Sequence, residues 1–270
     1  MPIIGIDYDK CINCGLCLKE CGRRFIKDEQ SGKIIYHDPA GTCFSCGHCI
    51  ALCPENAIIH KDFGDDLYTF EGIEHLESYV PYEIASNFLR ANRSVRHYKK
   101  DKVPDKILRK VFDVMQYSPT GANLRAEKYT LLSDEGKMKI LSDAVMEELL
   151  SNPFTNSVYK DSFENFEKLY HTPVYLDAPH VIFVSSPGDT YIEHIHIGIN
   201  VTYGRIAAQS LGLVTCWNGW TMLAFHYNRK LLKLAGVHGK SWGVFTIGYP
   251  KINFTRCPPR SKKRVKGLDY

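Results

Sequence analysis

Eight of the ten cysteines fall within the first 53 residues, in two runs of identical spacing: Cys11, Cys14, Cys17, Cys21, and Cys43, Cys46, Cys49, Cys53, the second followed by Pro54. Both read C-x2-C-x2-C-x3-C. Two even quartets, with no export signal ahead of them, do not look like a disulfide framework, which scatters its cysteines in pairs. A tetrahedral zinc site takes four thiolates from two knuckles and has no use for a third cysteine two positions further on. Three closely spaced thiolates instead wrap one corner of an iron-sulfur cubane. The chemistry these residues suit is therefore one-electron transfer, with Cys11, Cys14, Cys17, Cys21, Cys43, Cys46, Cys49 and Cys53 as metal ligands.

Over roughly residues 1–60 the chain resembles the bacterial two-[4Fe-4S] ferredoxins in both runs. The resemblance implies that Cys11, Cys14, Cys17 and Cys53 hold one cluster and Cys43, Cys46, Cys49 and Cys21 the other. Gly22 departs from the proline usual in that family, at a position that is not a ligand. Ile12, Leu16, Leu18, Phe25, Ile34, Ile35, Ala51, Leu52, Ala57 and Ile58 are expected to wrap the clusters in apolar surface.

Four further motifs follow in order. They are Arg93-Ser94-Val95-Arg96, Ser118-Pro119-Thr120-Gly121-Ala122-Asn123, Gly212-Leu213-Val214-Thr215-Cys216-Trp217-Asn218-Gly219, and Gly248-Tyr249-Pro250 with Arg260 and Lys262 beyond it. Together, over residues 86–270, they resemble the nitroreductase family, which implies bound FMN. By that resemblance Arg93, Ser94 and Arg96 take the phosphate and the polar edge of the isoalloxazine, a task that bidentate, always-charged guanidinium groups suit. Asn123 meets the flavin ring, while Pro119 and Thr120 reach the flavin of the other subunit. Asn218 and Gly219 bring backbone groups to the N5 edge, where glycine permits close approach. Arg260 and Lys262 return to the phosphate, whose charge of about −1.5 to −2 calls for several cations.

Arg125-Ala126-Glu127 stands where the family continues Gln-Pro-Trp. Arg125 is thus a candidate for an anionic substrate group. Cys216 is either a nucleophile or a small buried residue, and no identifiable base pairs with it. His194 and His196, two apart on a helix, face different ways and make a poor metal pair. Tyr159, Phe163, Phe166, Tyr170 and Tyr175 either line a substrate cleft or pack in a core or dimer contact.

These groups need elements to hold them. In 270 residues, 44% hydrophobic and 24% charged, there is room for a small domain and a larger one with its own core. The expected division is 1–60 for the ferredoxin-like domain, 61–85 for a connecting segment, and 86–270 for the FMN-binding domain. Apolar spacing predicts helices ending at Asn92, over Pro104–Met115, over Glu135–Leu150 and over Tyr191–Leu211, with a loop-rich stretch after Leu150. Strands are expected at Lys128–Leu132, His180–Ser185 and Trp242–Tyr249. Gly198, Gly204, Ala207 and Ala208 suit close packing of the long helix. Helices between strands without a tandem βαβ repeat make the fold α+β, a small ferredoxin-like domain followed by a nitroreductase-like one.

The resemblance implies a homodimer with FMN at the subunit interface, and thiolate-ligated clusters favour a reducing cytoplasm. The first reading is a reductase that passes ferredoxin-type electrons through the clusters to a nitroaromatic, quinone or enone. An NAD(P)H-dependent flavoenzyme that exports electrons through the clusters is the alternative, as is a non-catalytic carrier or redox sensor. No side chain is identified as the catalytic acid. Met1 to Lys10 lacks a basic stretch followed by an apolar run, and no later segment offers about 18 uncharged apolar residues, so no membrane partner is expected. The net charge is +4, and Arg256, Arg260, Lys262, Lys263, Arg264 and Lys266 crowd the tail. A flavin phosphate accounts for that basicity without a nucleic acid partner.

Overall fold

The computed structural model describes residues 3–61, 63, 68–70 and 75–267. Parts of the expected 61–85 connection, at 62, 64–67 and 71–74, lie outside the described residues. Contacts group the chain into two units, 1–74 with 120–125, and 75–119 with 126–270.

The first unit alternates short strands and helices: β1 (Ile3–Ile6), α1 (Leu16–Glu20), β2 (Phe25–Lys27), β3 (Ile34–Tyr36), α2 (His48–Leu52) and β4 (Ile58–His60). β1 pairs antiparallel with β4, and β2 with β3. Helices α1 and α2 each begin directly after a glycine at positive φ, Gly15 (φ 79) and Gly47 (φ 76). These glycines turn the chain between the second and third cysteines of each run, a bend that a side chain would strain. Ile3, Ile6, Phe25, Ile34, Ile50, Ala57 and Ile58 form a small buried core. Of the apolar residues expected to wrap clusters, Phe25, Ile34, Ala57 and Ile58 are buried, whereas Ile12, Leu16, Ala51 and Leu52 are exposed.

The second unit opens with α3 (Leu76–Tyr79), α4 (Tyr82–Ala91) and α5 (Asp105–Met115). Then come β5 (Lys128–Leu132), α6 (Glu135–Ser151), α7 (Pro153–Glu167), β6 (His180–Ser186), α8 (Tyr191–Ser210), β7 (Val214–Trp217), α9 (Gly219–Tyr227), α10 (Lys230–Leu234) and β8 (Ser241–Gly248). The four strands form one antiparallel sheet in the order β5-β6-β8-β7. β6 and β8 are buried along their whole length, as central strands covered on both faces must be.

On one face α5 and α8 pack Leu108, Val111, Met115, Ile197 and Val201 against Ile182, Val184 and Phe245. Gly204 lets the two helices meet, since a Cβ there would stand 2.7 Å from Met115 Sδ. Gly198 has nothing within 4 Å of that position, so the close-packing expectation holds for Gly204 and not for Gly198. On the other face α6, α9 and α10 bury Leu141, Val145, Phe225 and Leu232 against Val181, Phe183 and Val244.

The stretch after Leu150 is helical rather than loop-rich. Asn152 Oδ1 accepts from the Phe154 and Thr155 amides at 3.0 and 3.4 Å, and Pro153 occupies the first helical turn of α7. That cap, with a proline whose missing N–H costs nothing there, starts a helix that the sparse apolar pattern of 153–167 does not announce. The Gly212–Gly219 motif likewise contains a strand, β7, and the start of α9.

Candidate functional site

In the first unit the eight thiols separate into two rings. Cys11, Cys14, Cys17 and Cys53 line one pocket, with Ile6, Ile34, Ala57 and Ile58 among its walls. Cys21, Cys43, Cys46 and Cys49 line a second, bordered by Arg23, Arg24, Tyr36, Thr42 and His48. Each ring takes three thiols from one run and the fourth from the other. The donors surround a space, and among the described residues no three His, Cys, Asp or Glu converge as a single ion requires. A soft, all-sulfur donor set spread around a cavity fits a cluster. In the first ring the Asn13 and Ala57 amides donate to Cys11 and Cys53 sulfurs at 3.4 and 3.2 Å.

Behind the second ring lies the Asp38 carboxylate, its side chain 1% exposed. It accepts from the Thr42 and Cys43 amides at 3.0 and 2.9 Å, and Arg24 Nε stands 3.1 Å away. The same guanidinium donates to the Thr42 and Arg23 carbonyls at 2.8 and 2.9 Å. The segment Thr120–Arg125 groups with this unit, and Asn123 Nδ2 donates to the Ser45 carbonyl at 2.5 Å. Ala122, Asn123 and Arg125 all adopt positive φ, and the Arg125 amide donates to Thr120 Oγ1 at 3.2 Å. The amide expected to meet a flavin is therefore engaged by backbone between two cysteines. Pro119 and Arg125 are exposed.

The second unit holds two cavities beside β7. Strand pairing continues past its edge, where Ser94 bridges Thr215 and the Val95 amide donates to the Thr215 carbonyl at 3.0 Å. This fixes the Arg93–Arg96 segment against the motif that ends in Asn218 and Gly219. Arg96, Cys216, Trp217, Asn218 and Gly219 line a cavity, with Tyr159, Tyr175 and Trp220 across from them. Nothing lies within 4 Å of a Cβ on Gly219, so its backbone is open to a ligand. Arg93 lines the other cavity, together with Asn92, Arg205, Gln209 and Thr215. Arg93 Nε is buried and has no hydrogen-bond partner, and such an orphaned charged donor suits a phosphate oxygen.

Asn218 is spent structurally: Oδ1 caps α9 by accepting from the Thr221 amide at 2.9 Å, while Nδ2 donates to the Val174 carbonyl at 2.7 Å. Its backbone is engaged as well, the amide donating to the Val244 carbonyl at 2.8 Å and the carbonyl accepting from the Met222 amide at 3.5 Å. Burial pushes the Cys216 thiol up from its ordinary value, against the pull of the Arg96 and Arg205 guanidiniums. It lies in the cavity wall as a small buried residue. Arg260 and Lys262 are exposed and line neither cavity. Phe163 is fully buried with its ring 5.1 Å from Trp220, so the aromatic run divides into core (Phe163) and cavity wall (Tyr159, Tyr175). His194 is exposed beside Asp189, and His196 is buried 3.7 Å from Glu127, so the two do not converge.

Arg205 escaped the sequence reading. Its signal was a lone cation on the apolar stripe of α8, between Val201 and Ala208, where a charge must find a partner. Its Nε donates to Thr215 Oγ1 at 3.1 Å, and burial lowers its pKa.

The nitroreductase family model matches residues 89–249, more than half of the chain. This chain belongs to the nitroreductase family. A 4Fe-4S dicluster domain matches residues 10–58. The family membership makes it an oxidoreductase with a ferredoxin-type N-terminal domain. A nitroreductase with bound FMN from Bacteroides fragilis shares the fold over 68% of this chain and 96% of its own, at 19% identity and a TM-score of 0.54. A nitroreductase with bound FMN from Desulfitobacterium hafniense does so over the same shares, at 19% identity and 0.55. Ferredoxin-3 of a Nostoc species is 32% identical over 72 residues, which is 21% of this chain and 74% of that ferredoxin. An uncharacterized ferredoxin of Methanocaldococcus jannaschii is 39% identical over 58 residues, again 21% of this chain and 74% of its own. Among the described residues no helix is long and apolar enough to cross a membrane.

Proposed function

We propose that the chain is a cytoplasmic iron-sulfur flavoprotein that uses two [4Fe-4S] clusters and FMN to reduce a small organic acceptor. The observation that carries this reading is the separation of eight thiols into two rings, each drawing its fourth member from the other run. Cys11, Cys14, Cys17 and Cys53 would hold one cluster, and Cys21, Cys43, Cys46 and Cys49 the other. When bound, the clusters supply one-electron transfer and the flavin collects two electrons for the acceptor.

The chain's residues have separable tasks. Arg93, with its orphaned Nε, and Arg205 would bind the FMN phosphate as fixed cations. Ser94 and Arg96 would hold the ribityl and ring edge, and the Asn218–Gly219 backbone would face the N5 edge. Tyr159, Tyr175 and Trp220 would exclude water and offer flat apolar walls to a planar nitro, quinone or enone compound. Among the described residues no carboxylate or imidazole lines that cavity, and solvent would supply the proton. The functional assembly is a homodimer, and a low-potential one-electron carrier of ferredoxin type is the donor.

The test is an anaerobic spectral titration of the full chain. Bleaching of the flavin bands by reduced ferredoxin, and not by NADH or NADPH, is the expected result. Bleaching by pyridine nucleotide alone would reverse the direction of electron flow. Single Cys→Ser variants test the rings: C53S should share its electron paramagnetic resonance phenotype with C11S, and C21S with C43S. Pairing of C53S with C43S instead would overturn the ligand sets.

A further inference from the structure

The two thiol rings sit in unlike surroundings. The Cys11 ring is walled by Ile6, Leu16, Ile34, Ala57 and Ile58, and among the described residues its charged wall residue is Glu55. The Cys21 ring is bordered by Arg23 and Arg24, and its wall carboxylate among the described residues, Glu20, is held 2.7 Å from His48 Nδ1. Arg24 is fixed by the Arg23 and Thr42 carbonyls and by Asp38, with only 16% of its side chain exposed. The backbone between Cys43 and Cys46 also receives a donor, Asn123 Nδ2 on the Ser45 carbonyl.

Resting on the proposed ligand sets, we infer that Arg23 and Arg24, the latter tempered by Asp38, make the cluster of the Cys21, Cys43, Cys46, Cys49 ring the higher in potential, so that it is reduced first. Reduction adds one electron to a cubane held by four thiolates, breaks no bond, and makes the assembly more negative by one charge. The electron comes from a one-electron donor, dithionite in the test below. A neighbouring cation and a polar surround stabilise that added charge; an apolar wall and a carboxylate oppose it. The Asn13 and Ala57 amides on Cys11 and Cys53 sulfurs act in the opposite sense. They are dipoles whose field falls faster with distance than that of a unit charge, so the arginines decide the order.

Asp38 limits the effect of Arg24, because the two form a buried pair. Removing either partner must therefore move the same cluster in opposite directions. Arg23 is exposed and its loss leaves the fold intact, so it reads out the charge alone.

The experiment is a redox titration of the purified full chain with dithionite, followed by electron paramagnetic resonance, with iron and labile sulfide measured on every sample. Two midpoints are expected in the unaltered protein. R23Q and R24Q should lower only the upper midpoint and D38N should raise it, each by roughly a tenfold change in the reduction equilibrium, about 59 mV for one electron. E55Q should raise only the lower one. Two cubanes with coincident midpoints, or R23Q acting on the lower midpoint, would overturn the inference. Iron and sulfide short of two cubanes in the unaltered protein would overturn the underlying ligand sets instead.

Discussion

Asn218 Nδ2 donates to the Val174 carbonyl at 2.7 Å, a bond that ties the floor of the aromatic-walled cavity to the loop ahead of β6. The other end of the same side chain caps α9. N218A loses a cap, worth about 1 kcal/mol, and leaves a buried carbonyl unpaired at about 1–3 kcal/mol. The expected outcome is a lower melting temperature together with reduced flavin retention, read from thermal unfolding and flavin content. N218D keeps the cap but turns a carboxylate toward the Val174 carbonyl, and should be the less stable of the two.

Arg93 carries the orphaned buried Nε. A charge-assisted hydrogen bond contributes about 1.5–3 kcal/mol, so R93A should weaken FMN binding by about ten- to a hundredfold. Fluorescence titration of the apoprotein with FMN measures this. Riboflavin, which lacks the phosphate, should bind both proteins alike, and an equal loss for both ligands would place Arg93 away from the phosphate.

His180 lies 2% exposed at the start of β6, where Nε2 accepts from the Val103 amide at 2.9 Å and Nδ1 meets Ser133 Oγ at 2.6 Å. Burial, with Lys102 nearby, lowers its pKa to about 4. The ring is neutral when folded and takes up a proton on unfolding below its ordinary value of about 6.5. Stability is therefore complete above that value, falls as pH drops toward 4, and levels off below it, by about 3 kcal/mol in all. Denaturant melts across this range should show the loss, and H180Q should flatten it.

Gly243 on β8 faces α8, and a Cβ there would stand 2.6 Å from Ile197 Cγ2 and 3.1 Å from Val201 Cγ2. Branched side chains in a packed core yield little, so G243A should cost about 1–3 kcal/mol. Chemical denaturation should register that loss with the m-value unchanged.

Legibility in the sequence followed pattern strength. β5 appears at the expected residues, Lys128–Leu132, and α6 and β6 each run one residue past expectation. α7 was hidden because its buried positions, Thr155 and Phe163, are too sparse to make a stripe. β7 was hidden because Val214–Trp217 is a short edge strand inside a glycine-bounded motif. The grouping of the eight thiols around two pockets was legible because their even spacing is written in the chain. Arg205 was not, since its significance depends on Thr215 and Arg93, distant in sequence. The engagement of Asn123 by Ser45, 78 residues away, leaves no local trace at all.

The bridge between Ser94 and Thr215 has a consequence for solubility. β7 is an edge of the four-stranded sheet, and an uncovered edge invites pairing with another chain. Residues 94–95 occupy that edge, and Tyr98 and Lys99 continue by pairing with Pro250 and Tyr249. The segment that carries Arg93, the arginine proposed for the phosphate, is thus also the sheet's guard against self-association. Lesions there that unseat the backbone would yield aggregated protein, while side-chain changes that spare it would yield a soluble apoprotein.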